Sequence, residues 1–208
     1  MKDFKHCIVV GAGELFGRKI DIRKADLIIA ADGGYKYLKS QSIKPDIIIG
    51  DMDSINVEAE GTEKIILPGE KNDTDTLYAV KYALDKGFKK FSFYGCTGGR
   101  SEHTFANYQI LNYLADKNCS GYIFGDKEKI TIIKNDTLVL EKKLKGRVSV
   151  FAMSEMVHVT LKNLKYTLDD YLMNNKFPIG VSNEFIEGKS AEIKAENGSL
   201  LVFIDDNY

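Results

Sequence analysis

At 208 residues, 44% hydrophobic and 28% charged, the chain has the composition of an ordinary globular protein, one large domain or two small ones. A formal net charge of −1 offers no basic field to nucleic acid or an anionic membrane, so an anionic ligand must be met locally, by cations or backbone amides. No apolar run approaches the ~18 residues of a membrane helix, the N-terminal run is too short for a secretory signal, and the three cysteines and three histidines show no zinc spacing. Reduced thiols and a cytoplasmic location are the expectation.

Cys7–Val10 reads as the first strand, running into Gly11-Ala12-Gly13 and then a helix start near Glu14–Gly17. The spacing is a weak dinucleotide fingerprint, and the glycines read better as a tight turn using positive φ. Leu27–Ala31 is the second strand, stopped by Asp32-Gly33-Gly34, with a short helix over Tyr35–Gln41. After Pro45 comes a third, Asp46–Ile49, broken by Gly50 and followed by Asp51-Met52-Asp53-Ser54. Lys64–Leu67 is the fourth, and Glu70-Lys71-Asn72-Asp73-Thr74-Asp75 leads into a helix over Thr76–Lys86. There Leu77, Val80 and Leu84 share a face, with Asp73 or Thr74 as N-cap. Lys90–Tyr94 is the fifth strand, stopping at Gly95-Cys96-Thr97-Gly98-Gly99-Arg100. Ser101–Lys117 is the strongest helical pattern, capped by Ser101, with Phe105, Tyr108, Leu111 and Ala115 on one face.

Alternating strands and helices argue a mostly parallel sheet flanked by helices, Rossmann-like, over residues 1–126. Four polar clusters at strand ends then converge on one sheet edge. From Lys127 short runs and turn residues take over, and 127–208 read as an antiparallel sheet or small sandwich. Asn197-Gly198 is the strong hairpin signal there, Asn135-Asp136 a weaker one.

Magnesium takes oxygen ligands, commonly one or two carboxylates plus substrate phosphates. Asp51 and Asp53, with Asp75 from the neighbouring connection, fit that pattern; the alternative for Asp75 alone is a helix-dipole partner. Gly98-Gly99 before a helix, with Arg100 beside them, form an anion-binding arrangement. His103 either contacts a nucleotide or simply sits on the first turn. Asp32 is either a turn cap or an acid contacting a ribose or a phosphate-bound metal, and Lys71 is either a phosphate neighbour or solvated.

The ordered set Asp32-Gly33-Gly34, Gly50-Asp51-x-Asp53-Ser54, Lys71-x-x-Thr74-Asp75, Gly98-Gly99-Arg100-x-x-His103 and Gly180-x-Ser182-Asn183-Glu184 resembles the thiamine pyrophosphokinase family across nearly the whole chain. The resemblance implies an α/β nucleotide-binding domain followed by an antiparallel β-sandwich that contributes to thiamine binding and dimerisation. It implies transfer of the pyrophosphoryl group of ATP to the thiamine hydroxyl, with ATP as co-substrate and magnesium as cofactor. Asp51, Asp53 and Asp75 would bind the metal. Asp32, Gly33, Lys71, Thr74, Gly98, Gly99, Arg100 and His103 would serve the nucleotide. Ser182 and Asn183 would lie near thiamine, from the partner subunit of a homodimer. Asp51 and Asp73 are unranked candidates for taking the alcohol proton.

The chain departs from the family pattern at Asn72, where an acid is usual, and at Glu102, where Asp is usual. It has no tryptophan to stack on thiamine, which leaves Phe177, Phe185 or Tyr171. Three rival readings carry different signatures: a magnesium-dependent phosphohydrolase using the Asp51–Asp53 acids, a nicotinamide oxidoreductase resting on Gly11–Gly17, and a non-catalytic ligand sensor.

Overall fold

A computed structural model describes residues 4–51, 61–69, 72–142 and 145–206. The chain divides into two compact units, Met1–Ile110 with Asn118–Asp126, and Leu111–Lys117 with Lys127–Tyr208.

The first unit holds strands β1 (His6–Val10), β2 (Leu27–Ala31), β3 (Ile47–Gly50), β4 (Glu63–Ile66), β5 (Lys90–Tyr94) and β6 (Ser120–Phe124). With them are helices α1 (Gly34–Ser40) and α2 (Asp75–Asp85) and most of α3 (Ser101–Asp116). The strands lie in the order β6-β5-β1-β2-β3-β4, and every pair is parallel. Strands buried on both faces need near-continuous apolar sequence, which the runs Cys7–Val10, Leu27–Ala31 and Ile47–Ile49 supply. Edge strand β4 is less covered, and Ile66 is 68% exposed. β6 has no clear signature in the sequence: Ser120 and Gly121 interrupt the apolar pattern, and pairing with β5 along its whole length accompanies its extended form.

Two local expectations fail. No helix follows Gly11–Gly13; Glu14 instead forms a β-bridge with Thr97. That removes the strand–glycine–helix context of a dinucleotide fingerprint and with it the basis of the oxidoreductase reading. On α3 the buried residues are Asn107, Ile110, Leu111 and Leu114, while Phe105 is 57% exposed. The buried Asn107 sets this rotation, its Nδ2 donating to the carbonyl of Cys96 at 2.8 Å. A pattern weighing only apolar residues gives polar Asn107 no vote.

The second unit is antiparallel: β7 (Glu128–Leu140), β8 (Arg147–Ala152), β9 (Met156–Lys162), β10 (Leu168–Asn174), β11 (Asn183–Glu184) and β12 (Ala191–Asp205). Neither expected hairpin exists. Asn135-Asp136 lies inside β7 and Asn197-Gly198 inside β12, where the ladder shifts register between Ala195 and Ser199. Asn135 (φ 48°) and Asn197 (φ 56°) take the left-handed turn, and Gly198 N donates to Asn135 Oδ1 at 3.1 Å. A two-residue type I′ turn needs positive φ at both centres, and Gly198 has none. Gly198 is required by space: a Cβ there would stand 2.6 Å from the carbonyl oxygen of Met156. The bulge lets one strand serve two partners, β9 through Glu196 and β8 from Leu200. The core of this unit centres on Val148, Val150, Val157, Val159, Ile193 and Val202. Among the described residues, no helix is long and apolar enough to cross a membrane.

Candidate active site

Strand order in the first unit reverses between β1 and β5. In a parallel sheet, the crevice beyond the carboxyl ends at such a reversal is where ligands sit. Here two loops run side by side. Gly11 N donates to Tyr94 O, Gly13 N to Gly95 O and Glu14 N to Thr97 O, each at 2.8 Å. Glycine is required by the closeness: a Cβ on Gly11 would meet Gly95 O at 2.7 Å, and one on Gly13 would meet Thr97 O at 2.7 Å. The predicted reason, positive φ, does not apply at either residue.

These bonds, with the one from Asn107 to Cys96, turn the carbonyls of residues 95–97 inward. Gly98 (φ 74°) and Gly99 (φ 63°) then reverse the chain. The amides of Gly98, Gly99 and Arg100 donate no hydrogen bond among the described residues. They sit directly before α3, whose first turn is closed by Thr104 N donating to Arg100 O at 3.2 Å, so the cap position falls on Arg100 and not on Ser101. Undonated successive amides at a helix N-terminus make a concavity suited to an anion. Arg100 is exposed, and its Nε donates to Glu102 Oε1 at 2.6 Å. Glu102's own backbone amide and Arg100 hold the Glu102 carboxyl below the usual range. His103 is exposed on the same first turn.

On the other side of β1, Asp32 takes φ 50° and its amide donates to Ile49 O at 2.8 Å. The cap position of α1 is Gly33, with no side-chain cap bond, so Asp32 is not the helix cap. Gly50 lets the neighbouring chain pass, since a Cβ there would lie 3.2 Å from Asp32 Cα. Asp32 and Asp51 therefore stand at adjacent strand ends, both half-buried. Gly33 and Gly34 serve packing: a Cβ on Gly34 would fall 1.9 Å from Val10 O.

Thr74 caps α2, its Oγ1 accepting from Leu77 N at 3.2 Å, and Asp75 opens the first turn. Asp73 is engaged by Lys81, Nζ to Oδ2 at 2.6 Å. Helix α2 packs against β1, β2 and β3, and β4 continues past Gly50, whose carbonyl accepts from Leu67 N at 2.9 Å. Asp53 and Lys71 lie outside the described residues. Among the described residues, no three of His, Cys, Asp and Glu form a group that would hold a metal. As donors, Asp51 and Asp75 are hard carboxylate oxygens, the type magnesium takes.

Ser182 and Asn183 belong to the second unit. Ser182 is exposed, at φ 57°, its amide donating to Ser149 Oγ at 2.9 Å. Asn183 is 5% exposed, with both ends of its side chain in use. Oδ1 accepts from Tyr166 N at 3.0 Å and Nδ2 donates to Tyr166 O at 2.6 Å. Asn183 thus clamps the backbone that presents Tyr166, itself 61% exposed. Of the aromatics expected to replace tryptophan, Phe185 is a core residue at 7% exposure, while Phe177 and Tyr171 are exposed. Sequence reasoning missed Thr97, Asn107 and Tyr166; a polar residue on the apolar stripe of α3 was the available signal for Asn107.

A family model described as thiamin pyrophosphokinase, catalytic domain, matches residues 20–123, and one described as thiamin pyrophosphokinase, vitamin B1 binding domain, matches residues 135–200. The chain is 28% identical over 171 residues to the thiamine pyrophosphokinase of Bacillus subtilis (strain 168), covering 78% of this chain and 80% of that one. The fold is that of the crystal structure of thiamine pyrophosphokinase from Bacillus subtilis, with TM-score 0.84, 24% identity, and coverage of 98% and 100%. The Candida albicans thiamin pyrophosphokinase has TM-score 0.77 at 15% identity, covering 99% of this chain and 90% of that one.

Proposed function

Because the chain belongs to the thiamin pyrophosphokinase family, we propose that its residues 32–34, 50–54, 72–75 and 95–103 bind ATP and transfer its pyrophosphoryl group to thiamine. The products are thiamine diphosphate and AMP. The carrying observation is the undonated amide run at Gly98, Gly99 and Arg100, at the reversal point of the sheet and inside the catalytic-domain match. No feature of the comparisons favours the phosphohydrolase alternative.

The thiamine hydroxyl oxygen attacks the β phosphorus of ATP, and the bond from that phosphorus to the α–β bridging oxygen breaks. Negative charge therefore gathers on the β and γ oxygens and on the departing AMP. Little covalent work falls to the protein, so positioning and charge stabilisation dominate. The amides of residues 98–100 hold phosphate oxygens, and Arg100 exchanges Glu102 for phosphate, a swap its fork geometry allows. Asp32, Gly33, Lys71, Thr74 and His103 complete the nucleotide side. The alcohol proton goes to a carboxylate, Asp51 or Asp73, the latter paired with Lys81. Asp51, Asp53 and Asp75 would hold magnesium, which when bound offsets charge on the β- and γ-phosphates.

Thiamine is met by the second unit of a partner subunit in a homodimer, with Ser182 at the site and Asn183 acting through Tyr166. The exposure of Tyr166, held by Asn183, and of Val181, next to Ser182 in the chain, supports that reading. A cytoplasmic location fits the use of ATP. The test incubates the protein with ATP, magnesium and thiamine and follows AMP and thiamine diphosphate together. Equal amounts support the reading; inorganic phosphate without thiamine diphosphate refutes it.

A further inference from the structure

Thr97 lies in the middle of the anion-binding loop, yet the proposed reaction gives it no role. It is 6% exposed, and its Oγ1 is buried with no hydrogen-bond partner among the described residues. The only other buried side-chain atom of this kind among the described residues is Asn112 Oδ1, on α3. Buried hydroxyls are almost always bonded, so an orphan in a folded protein calls for a reason. If packing alone decided the position, valine would fill the same shape without a buried hydroxyl to satisfy.

The backbone around Thr97 is fixed. Its carbonyl accepts from Glu14 N, and that of Gly95 from Gly13 N, both at 2.8 Å. Cys96 O accepts from Asn107 Nδ2 at 2.8 Å. The movable part is the Cα–Cβ torsion, whose staggered wells exchange the hydroxyl with the methyl. Directly after Thr97 come the undonated amides of Gly98, Gly99 and Arg100. An anion on those amides follows Thr97 directly in the chain, and rotation about the Cα–Cβ bond is the movement that would turn the unspent donor toward it.

We propose that Thr97 is a nucleotide-binding residue of this site, its hydroxyl donating to a phosphate oxygen of ATP held by the adjacent amides. The bond forms only with the anion in place, so the hydroxyl burdens the free protein and contributes in the complex. The inference rests on the proposed ATP site and deepens it.

The test compares wild type with Thr97→Val and Thr97→Ser, measuring melting temperature, calorimetric Kd for a non-transferable ATP analogue with magnesium, and KM for ATP and for thiamine. Losing a hydrogen bond to a charged oxygen is expected to raise Kd and KM for the nucleotide on the order of tenfold or more. The KM for thiamine stays put, and the valine protein melts at or above the wild-type temperature. Serine keeps the hydroxyl and stays within about threefold of wild type. A valine protein that binds the analogue like wild type overturns the proposal. So does one that melts lower while serine does not, since the hydroxyl then has a structural partner. Should the valine chain not fold, Thr97→Ala supplies the same comparison. Wild type that binds the analogue but makes no AMP with thiamine would sink the pyrophosphokinase reading, while the Kd comparison still judges Thr97.

Discussion

The two units treat the same residues in opposite ways. In the parallel unit, glycine and aspartate after an apolar run close the strand and open a loop, as at Asp32-Gly33 and Gly50-Asp51. In the antiparallel unit, Asn135-Asp136 and Asn197-Gly198 sit inside strands and bend them. A parallel strand must leave its sheet edge to reach the crossover, so a breaker there becomes a loop. An antiparallel strand flanked by partners keeps its ladder across the breaker, and the breaker becomes a bulge.

Breaking the parallel unit at its tightest point should have the largest effect. Gly34→Ala puts a Cβ 1.9 Å from Val10 O, a backbone clash that no side-chain movement relieves. The expected cost is about 3 kcal/mol or more, seen as a lowered denaturant midpoint or no folded protein. Next come the acids proposed to hold magnesium. Asp51→Asn, Asp53→Asn and Asp75→Asn should each cut turnover by roughly 100-fold or more while leaving the melting temperature near wild type. Near-normal turnover of the folded variants would remove the acids from the site.

In the antiparallel unit, the largest single loss is expected from Asn183→Ala. It removes both bonds to the Tyr166 backbone, which are part-buried, and should cost about 1–3 kcal/mol. If Asn183 acts through Tyr166, Tyr166→Ala should raise the KM for thiamine with little loss of stability.

A pH effect belongs to the parallel unit. Burial pushes the Cys96 thiol from 9.0 up to about 12. Below pH about 9 both folded and unfolded chains keep the proton, so the contribution is flat. Between about 9 and about 12 only the unfolded chain ionises, and stability falls as pH rises. Chemical denaturation across that window should show the decline, smaller in Cys96→Ala. Smallest of all is Glu102→Gln. Freeing Arg100 from an exposed pair should lower the KM for ATP by less than about threefold, with no change in melting temperature.

The difference between the units also explains how much of the molecule is legible in its sequence. β2 and β5 match their expected bounds to the residue, and β1, β3 and β4 to within one; for β1, β2 and β3 the reason is that a parallel strand buried on both faces is an uninterrupted apolar run. β10 leaves no such mark: it carries Asp169 and Asp170 on an edge, where pairing and not burial makes the strand. Thr74 as cap and Asp75 in the first turn follow from local chemistry alone. Gly11 and Gly13 stand out in the sequence for the wrong reason, because a close approach between loops more than 80 residues apart leaves no local sign. Thr97 and Tyr166 escape for a similar reason: one is defined by a missing partner, the other by a clamp from Asn183.

The central claim is that the loops at the strand-order reversal move a pyrophosphoryl group intact. ATP labelled at its β phosphorus, incubated with thiamine and magnesium, should place the label in thiamine diphosphate, with unlabelled AMP in equal amount. Label appearing in ADP, with inorganic phosphate released, would contradict it.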